Sequence, residues 1–152
     1  MKLKNLLAAV AAVAMCVLPL PVWARQPIEA GRTDCGVLYI EPDSVDTVKK
    51  DGKYYLVLMA EERYTDEQFL KILRQGEQTA KAASMLYLYM FNTYGSEYCI
   101  GASYLLDDEG RVCADLGSRL EPQAVGGNKT LQNAYTLALK ILERKSQSAS
   151  NG

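Results

Sequence analysis

The hydrophobic pattern changes period several times along this chain, and the changes mark its elements. Val37 to Ile40 is a short apolar run with β-branched and aromatic residues, and Glu41-Pro42-Asp43-Ser44 follows with turn chemistry. Asp51-Gly52 marks a second turn. Lys53 to Ala60 then alternates Tyr55, Val57 and Met59 with Tyr54, Leu56 and Leu58. Both sets are apolar, which predicts a central strand covered on both faces. At Thr65 the period becomes helical: Phe69, Leu70, Leu73 and Ala80 share a face behind a capping Thr65-Asp66, predicting a helix from about Asp66 to Ala80 that Gly76 weakens.

Residues 84–116 carry the clearest strand signal. Met85–Phe91, Tyr98–Leu106 and Arg111–Asp115 are separated by Tyr94-Gly95-Ser96 and Asp107-Asp108-Glu109-Gly110, which read as hairpin loops. Gly117 to Lys129 reads as a loop. Asn128 or Thr130 then caps a last helix, whose stripe is Leu131, Ala134, Tyr135, Ala138 and Leu142, with Ile141 beside it. The pattern predicts an α+β fold: an antiparallel β-meander of about five strands packed with two helices, including a C-terminal helix. The domain occupies 37–145, after a flexible lead-in at 25–36 and before a disordered tail at 146–152.

Residues 1–24 precede that domain and have a different character. Lys2 and Lys4 open a nearly unbroken apolar run, Leu6 to Leu20, which ends in Pro19, Pro21 and Val22-Trp23-Ala24. This is the pattern of a secretory signal peptide cleaved before Arg25, and it is short for a spanning helix. The processed chain is expected in the periplasm, at the cell surface or outside the cell, and the short Lys-starting leader points to a bacterial host. Loss of Lys2 and Lys4 moves the formal net charge from −1 to about −3. That balance argues against nucleic acid and against strong binding to anionic lipid. No later run is long enough to span a bilayer.

Histidine is absent, which removes the commonest general base and metal ligand. Cys16 lies within the leader and lacks the residues of a lipoprotein acylation site. Cys35, Cys99 and Cys113 remain, an odd number, so one disulfide and one free thiol is the simplest accounting. With Asp107–Gly110 as a turn, Cys113 lies across from Tyr104 or Leu105, and Cys99 is roughly 17–20 Å further along. A disulfide needs Cα atoms within about 7 Å. Any intramolecular bridge must therefore use Cys35.

Pairing Met85–Phe91 with Tyr98–Tyr104 sorts their side chains. One face collects Met85, Tyr87, Tyr89, Phe91, Tyr98, Ile100, Ala102 and Tyr104; the other collects Leu86, Leu88, Met90, Cys99, Gly101 and Ser103. Small residues on the second face predict a helix packed there. The first face is either a second core layer or a partly open binding face carried by Tyr87, Tyr89, Tyr98 and Tyr104. Other constellations carry little. Gly126-Gly127-Asn128-Lys129-Thr130 lacks the first glycine of a phosphate loop, and Asp107-Asp108-Glu109 lacks the spacing of a calcium loop. No catalytic residue, cofactor or metal site is assigned.

Several segments resemble the surface-adhesin protein E family of small secreted bacterial proteins. They are Tyr39-Ile40-Glu41-Pro42-Asp43-Ser44-Val45, Tyr54-Tyr55-Leu56-Val57-Leu58, Glu97-Tyr98-Cys99, Leu105-Leu106-Asp107-Asp108-Glu109-Gly110-Arg111-Val112 and Glu121-Pro122. The resemblance spans most of 37–142. It implies an antiparallel sheet backed by a helix and a binding or adhesive role without catalysis. The chain departs from the pattern in lacking a tryptophan before the Pro loop, in its long 66–83 segment, and in having no cysteine in the last helix. The resemblance also implies that Cys99 lies beneath that helix, which leaves Cys35 and Cys113 as the expected disulfide. The expected function is exported, non-catalytic, adhesin-like binding of a protein or envelope partner. The alternative is a secreted enzyme with a histidine-free site built from clustered carboxylates or a Ser-Lys pair.

Overall fold

The computed structural model describes residues 26–151. The leader, its cleavage site and Cys16 lie outside them. Seven strands form one antiparallel sheet: β1 (Ile28–Arg32), β2 (Gly36–Ile40), β3 (Asp46–Lys50), β4 (Lys53–Tyr64), β5 (Ala82–Asn92), β6 (Glu97–Asp107) and β7 (Val112–Ala124). Two helices join them, α1 (Glu67–Leu73) and α2 (Lys129–Ser150). The fold is the expected α+β class, with seven strands instead of about five.

The sheet order is β1-β2-β4-β5-β6-β7, with β3 also against β4. β2 pairs with Ala60–Tyr64 and β3 with Lys53–Val57, so the two lie end to end along the same edge of β4. Between them Pro42–Ser44 makes one 3-10 turn. The β4 backbone opposite that break stays satisfied: Ser44 Oγ accepts from Met59 N–H at 2.8 Å, and Glu41 N–H donates to Met59 C=O at 3.0 Å. Gly36 is required where β2 meets β4, because a Cβ there would lie 2.0 Å from Arg63 O.

α2 lies on the face lined by Ala30, Leu38, Ile40, Leu56, Leu58, Ala60, Tyr89 and Phe91. Thr130, Leu131, Ala134, Ala138 and Ile141 are its buried positions, close to the expected stripe. Ala134 and Ala138 bring the helix near the strands, and Asn128 Oδ1 caps it by accepting from Leu131 N–H at 3.1 Å. On the opposite face Leu86, Leu88, Ala102, Tyr104 and Leu106 form a separate cluster, with Met59 against it.

This arrangement corrects the expected helix position: α2 covers the aromatic face, not the face with small β6 residues. The space over Gly101 is filled from within the sheet, since a Cβ there would lie 3.1 Å from Leu88 Cδ2 and 3.3 Å from Met90 Sδ. The β2 and β4 positions explain the choice. Toward α2 they present Leu38, Ile40, Leu56, Leu58 and Ala60, whereas the other side carries Tyr39, Glu61 and Arg63.

Boundaries also moved. Half of the expected flexible lead-in is β1, held by β2 and by α2, whose Asn133 donates to Ala30 C=O. α1 stops at Leu73 instead of Ala80; Thr79 Oγ1 donates to Leu73 C=O at 2.7 Å, and turns follow through Gly76. β7 runs on through the expected loop, and Pro122 is tolerated because β7 is an edge strand. The expected disordered tail is helical through Ser150.

Candidate functional site

A bulge decides which tyrosines meet. Phe91 pairs with Tyr98 and Tyr89 with Ile100, but Leu88 pairs with Ala102, leaving Gly101 as the extra residue of β6. Beyond it the alternation of β6 inverts. Tyr87, Tyr89 and Tyr98 stay on the α2 side, with ring centroids 5.2 Å apart for Tyr87–Tyr89 and 5.7 Å for Tyr89–Tyr98. Tyr104, expected with them, is carried to the other face and buried among Leu86, Leu88 and Leu106. The expected face of Tyr87, Tyr89, Tyr98 and Tyr104 is therefore three residues, not four.

Those three are joined by groups from other strands. Tyr64 of β4 lies close enough to Tyr87 to act on its phenol, and it packs edge-on against Phe69 of α1, with centroids 4.7 Å apart. Tyr87 OH donates to Glu62 Oε2 at 3.3 Å, and Thr33 Oγ1 donates to Glu62 Oε1. The Thr33 hydroxyl also accepts from the N–H groups of Cys35 and Gly36, which fixes the β1–β2 turn beside the carboxylate. At the other end Tyr98 OH donates to Gln123 Oε1 of β7 at 3.0 Å. Arg119 stands opposite Ile100 on β7, close enough to act on Tyr87. The result is a strip of phenols ending in an acceptor carboxylate at one side and an amide at the other. Tyr89 is buried, while Tyr64, Tyr87 and Tyr98 are each partly exposed.

Electrostatics keep Tyr64, Tyr87 and Tyr89 protonated. Burial first, then the Glu62 charge, pushes Tyr87 up to about 12 from its ordinary 10. Tyr64 and Tyr89 are raised further, again by burial first and then by Tyr87 and Glu62. Tyr64, Tyr87 and Tyr89 therefore offer aromatic faces and neutral hydroxyls, not phenolate. Such groups suit recognition.

The thiols are dispersed. Cys35, Cys99 and Cys113 are all free in the structure, so the expected Cys35–Cys113 disulfide is absent from it. Cys35 precedes β2 and Cys113 lies on β7, with β4, β5 and β6 between. At about 4.8 Å per strand, four steps separate them by roughly 19 Å across an open sheet. Cys99 faces away from α2, opposite Met90. Each thiol is raised by burial above all, and Cys35 also by Glu62, Asp66 and Asp34, which leaves all three protonated.

Remaining candidates take structural roles. Asp107 Oδ1 accepts from Glu109 and Arg111 N–H groups, closing the β6–β7 turn. Gly126-Gly127 leads into the α2 cap, where Gln132 donates to Gly126 C=O. Among the described residues no group of three or more His, Cys, Asp or Glu side chains is placed to hold a metal ion, and no helix is long and apolar enough to cross a membrane. Sequence reasoning missed Thr33, Glu62, Tyr64, Arg119 and Gln123. The signal for Glu62 was available: Glu61-Glu62-Arg63 interrupts an otherwise apolar strand.

No family model, curated protein or solved structure matches this chain.

Proposed function

We propose that the protein is an exported, non-catalytic binding protein of the bacterial envelope, adhesin-like in the sense of the family it resembles. The tyrosine strip on the α2 side of the sheet is its recognition face. The observation that carries this reading is the partly exposed cluster of Tyr64, Tyr87 and Glu62 set beside Tyr89 and Tyr98. Tyr64 and Tyr87 offer neutral hydroxyls with apolar faces, and Glu62 already accepts from Tyr87 and from Thr33. A protein surface meets such a strip with both apolar contact and hydrogen bonds. The leader pattern supports export, and a periplasmic or surface location follows from it.

The test is a comparison of captures from envelope extract by the wild type and by Tyr87→Ser and Tyr98→Ser. A specific partner should be retained by the wild type and lost by both variants, with their folding confirmed by denaturation. Equal capture by all three, or capture unrelated to the strip, overturns the assignment.

A further inference from the structure

A second surface is independent of the tyrosine strip. The β3–β4 tip (Asp51-Gly52) and the β5–β6 tip (Thr93–Ser96) are neighbours: Tyr55 pairs with Asn92, and Thr93 Oγ1 donates to Tyr54 C=O at 3.1 Å. Together they carry the two most exposed tyrosines among the described residues, Tyr94 at 87% and Tyr54 at 58%. Lys49 shares the face of Tyr54, and Lys50 and Lys53 share the opposite face of the same tip. Lys49 is the cross-strand partner of Tyr54 and holds its ammonium 5.3 Å from the ring, and Lys50 pairs with Lys53. Asp51 and Glu97 are the acids of the two tips, so the lysines outnumber them.

These tips are held, not loose. Asn92 Oδ1 accepts from Ser96 and Glu97 N–H groups, and Val125 N–H donates to Ser96 C=O. Tyr135 of α2 closes over Gly95, where a Cβ would lie 2.5 Å from its ring, and its hydroxyl donates to Thr93 C=O at 2.6 Å. Tyr94 is thus fixed outward on a rigid turn. Nothing in the core requires it there, and a wholly exposed ring on a braced tip is an unusual use of a tyrosine.

We propose that the paired β3–β4 and β5–β6 tips form a peripheral docking surface for an anionic lipid bilayer. Two features select that partner. The surface is convex, made of two turn tips, and so suits a flat interface better than it encloses a peptide or a small ligand. Its composition is that of an interfacial contact: tyrosines settle at the headgroup level with the hydroxyl in water, while lysines extend to the phosphates.

The experiment uses the full chain and vesicles of phosphatidylcholine with or without one-third phosphatidylglycerol, read by co-sedimentation. The readout is the ratio of anionic to neutral binding, which cancels whatever the apolar run Leu6–Leu20 contributes. A lysine near an anionic surface is worth about fivefold in partition, so Lys49→Gln, Lys50→Gln and Lys53→Gln together should lower the ratio by about a hundredfold. Tyr54→Ser with Tyr94→Ser should lower binding to both kinds of vesicle severalfold at an unchanged ratio, and 0.5 M salt should bring the ratio close to one. Lys140→Gln with Arg144→Gln, exposed on α2, should leave it unchanged. A ratio near one for the wild type overturns the proposal. So does an equal loss with the α2 variant, or binding to soluble polyglutamate without binding to vesicles. All of these variants are at exposed or half-exposed positions, and unchanged denaturation midpoints confirm that they fold.

Discussion

The two faces of this sheet are built from the same strands and closed by different means. Toward α2, large side chains come from every central strand: Leu38 and Ile40, Leu56 and Leu58, Tyr89 and Phe91. Such a surface has no room to fold over itself and takes a helix, which approaches on Ala134 and Ala138. On the other face β5 supplies Leu86, Leu88 and Met90, while β6 supplies Cys99, Gly101 and Ala102 beside them. Large side chains next to small ones close laterally, with Leu88 and Met90 lying over Gly101. Small residues on a strand therefore have two outcomes. They admit a helix only where the neighbouring strand does not already fill the space.

The sharpest way to break this comparison is to remove one large side chain from each face. Phe91 is fully buried and touches the rings of Tyr89, Tyr98 and Tyr135. Phe91→Ala should cost about 3–5 kcal/mol in denaturant unfolding, because strands and helix together cannot collapse into the void. Leu88→Ala on the other face should cost about 2 kcal/mol, the low end for its type, since Met90 can move toward the space. Equal losses would show that the two faces are sealed alike.

High pH probes the α2 side through its tyrosines. Tyr87 is held at about 12 when folded, against its ordinary 10 when unfolded. Below pH 10 its proton is bound in both states and its stabilising contribution is complete. As pH rises from 10 through 12 the unfolded chain releases that proton first, and stability falls, by about 2 kcal/mol for this group by pH 12. Tyr64 and Tyr89 act in the same direction. Urea midpoints measured from pH 9 to 12 should decline, and Tyr87→Phe should flatten the decline. An unaltered slope in that variant would remove Tyr87 from the coupled strip.

Gly101 tests the lateral closure directly. Gly101→Leu must displace both Leu88 and Met90 and should cost about 1–3 kcal/mol. Gly101→Ala meets only the flexible ends of those side chains and should be felt much less. A Leu variant with the wild-type midpoint would mean that the face is open above the bulge.

The same bulge marks how far the sequence could be read. β4, the two turns of the meander, both helix caps and the apolar stripe of α2 follow from periodicity and turn chemistry, and the structure has them all. Strict alternation carried Tyr104 onto the α2 side, because one unpaired residue at Gly101 leaves no trace in a period-two pattern. β1 was hidden for another reason. Its Ala30 is buried only because β2 and α2 meet over it, a tertiary effect absent from five local residues. Gly117 and Pro122 read as loop residues, yet an edge strand accommodates both. Of the site, Tyr87, Tyr89 and Tyr98 were legible as a stripe. Glu62 left a signal as a charge in an apolar strand, but its meeting with Thr33 did not, since the two are 29 residues apart and meet only through the pairing of β2 with β4. The thiol pairing failed on strand order, which periodicity does not contain, and mapping of unreduced peptides should find Cys35, Cys99 and Cys113 all alkylated.

The smallest effect expected concerns the tie between α2 and the β5–β6 tip, a contact made on the α2 side. Tyr135 donates to Thr93 C=O at 2.6 Å while its ring rests on Gly95 and faces Phe91 at 5.6 Å. Tyr135→Phe keeps the ring and removes only the hydroxyl. The bond is at an exposed carbonyl that water can satisfy, so the loss should be about 0.5–1.5 kcal/mol. Tyr135→Ala also uncovers Phe91 and Gly95 and should cost more than twice as much. The difference between the two variants then measures ring packing apart from the hydrogen bond. If Tyr135→Phe and Tyr135→Ala lose the same amount, the ring does not seal this edge of the core, and the helix is held on its face by Ala134 and Ala138 without help from the tip.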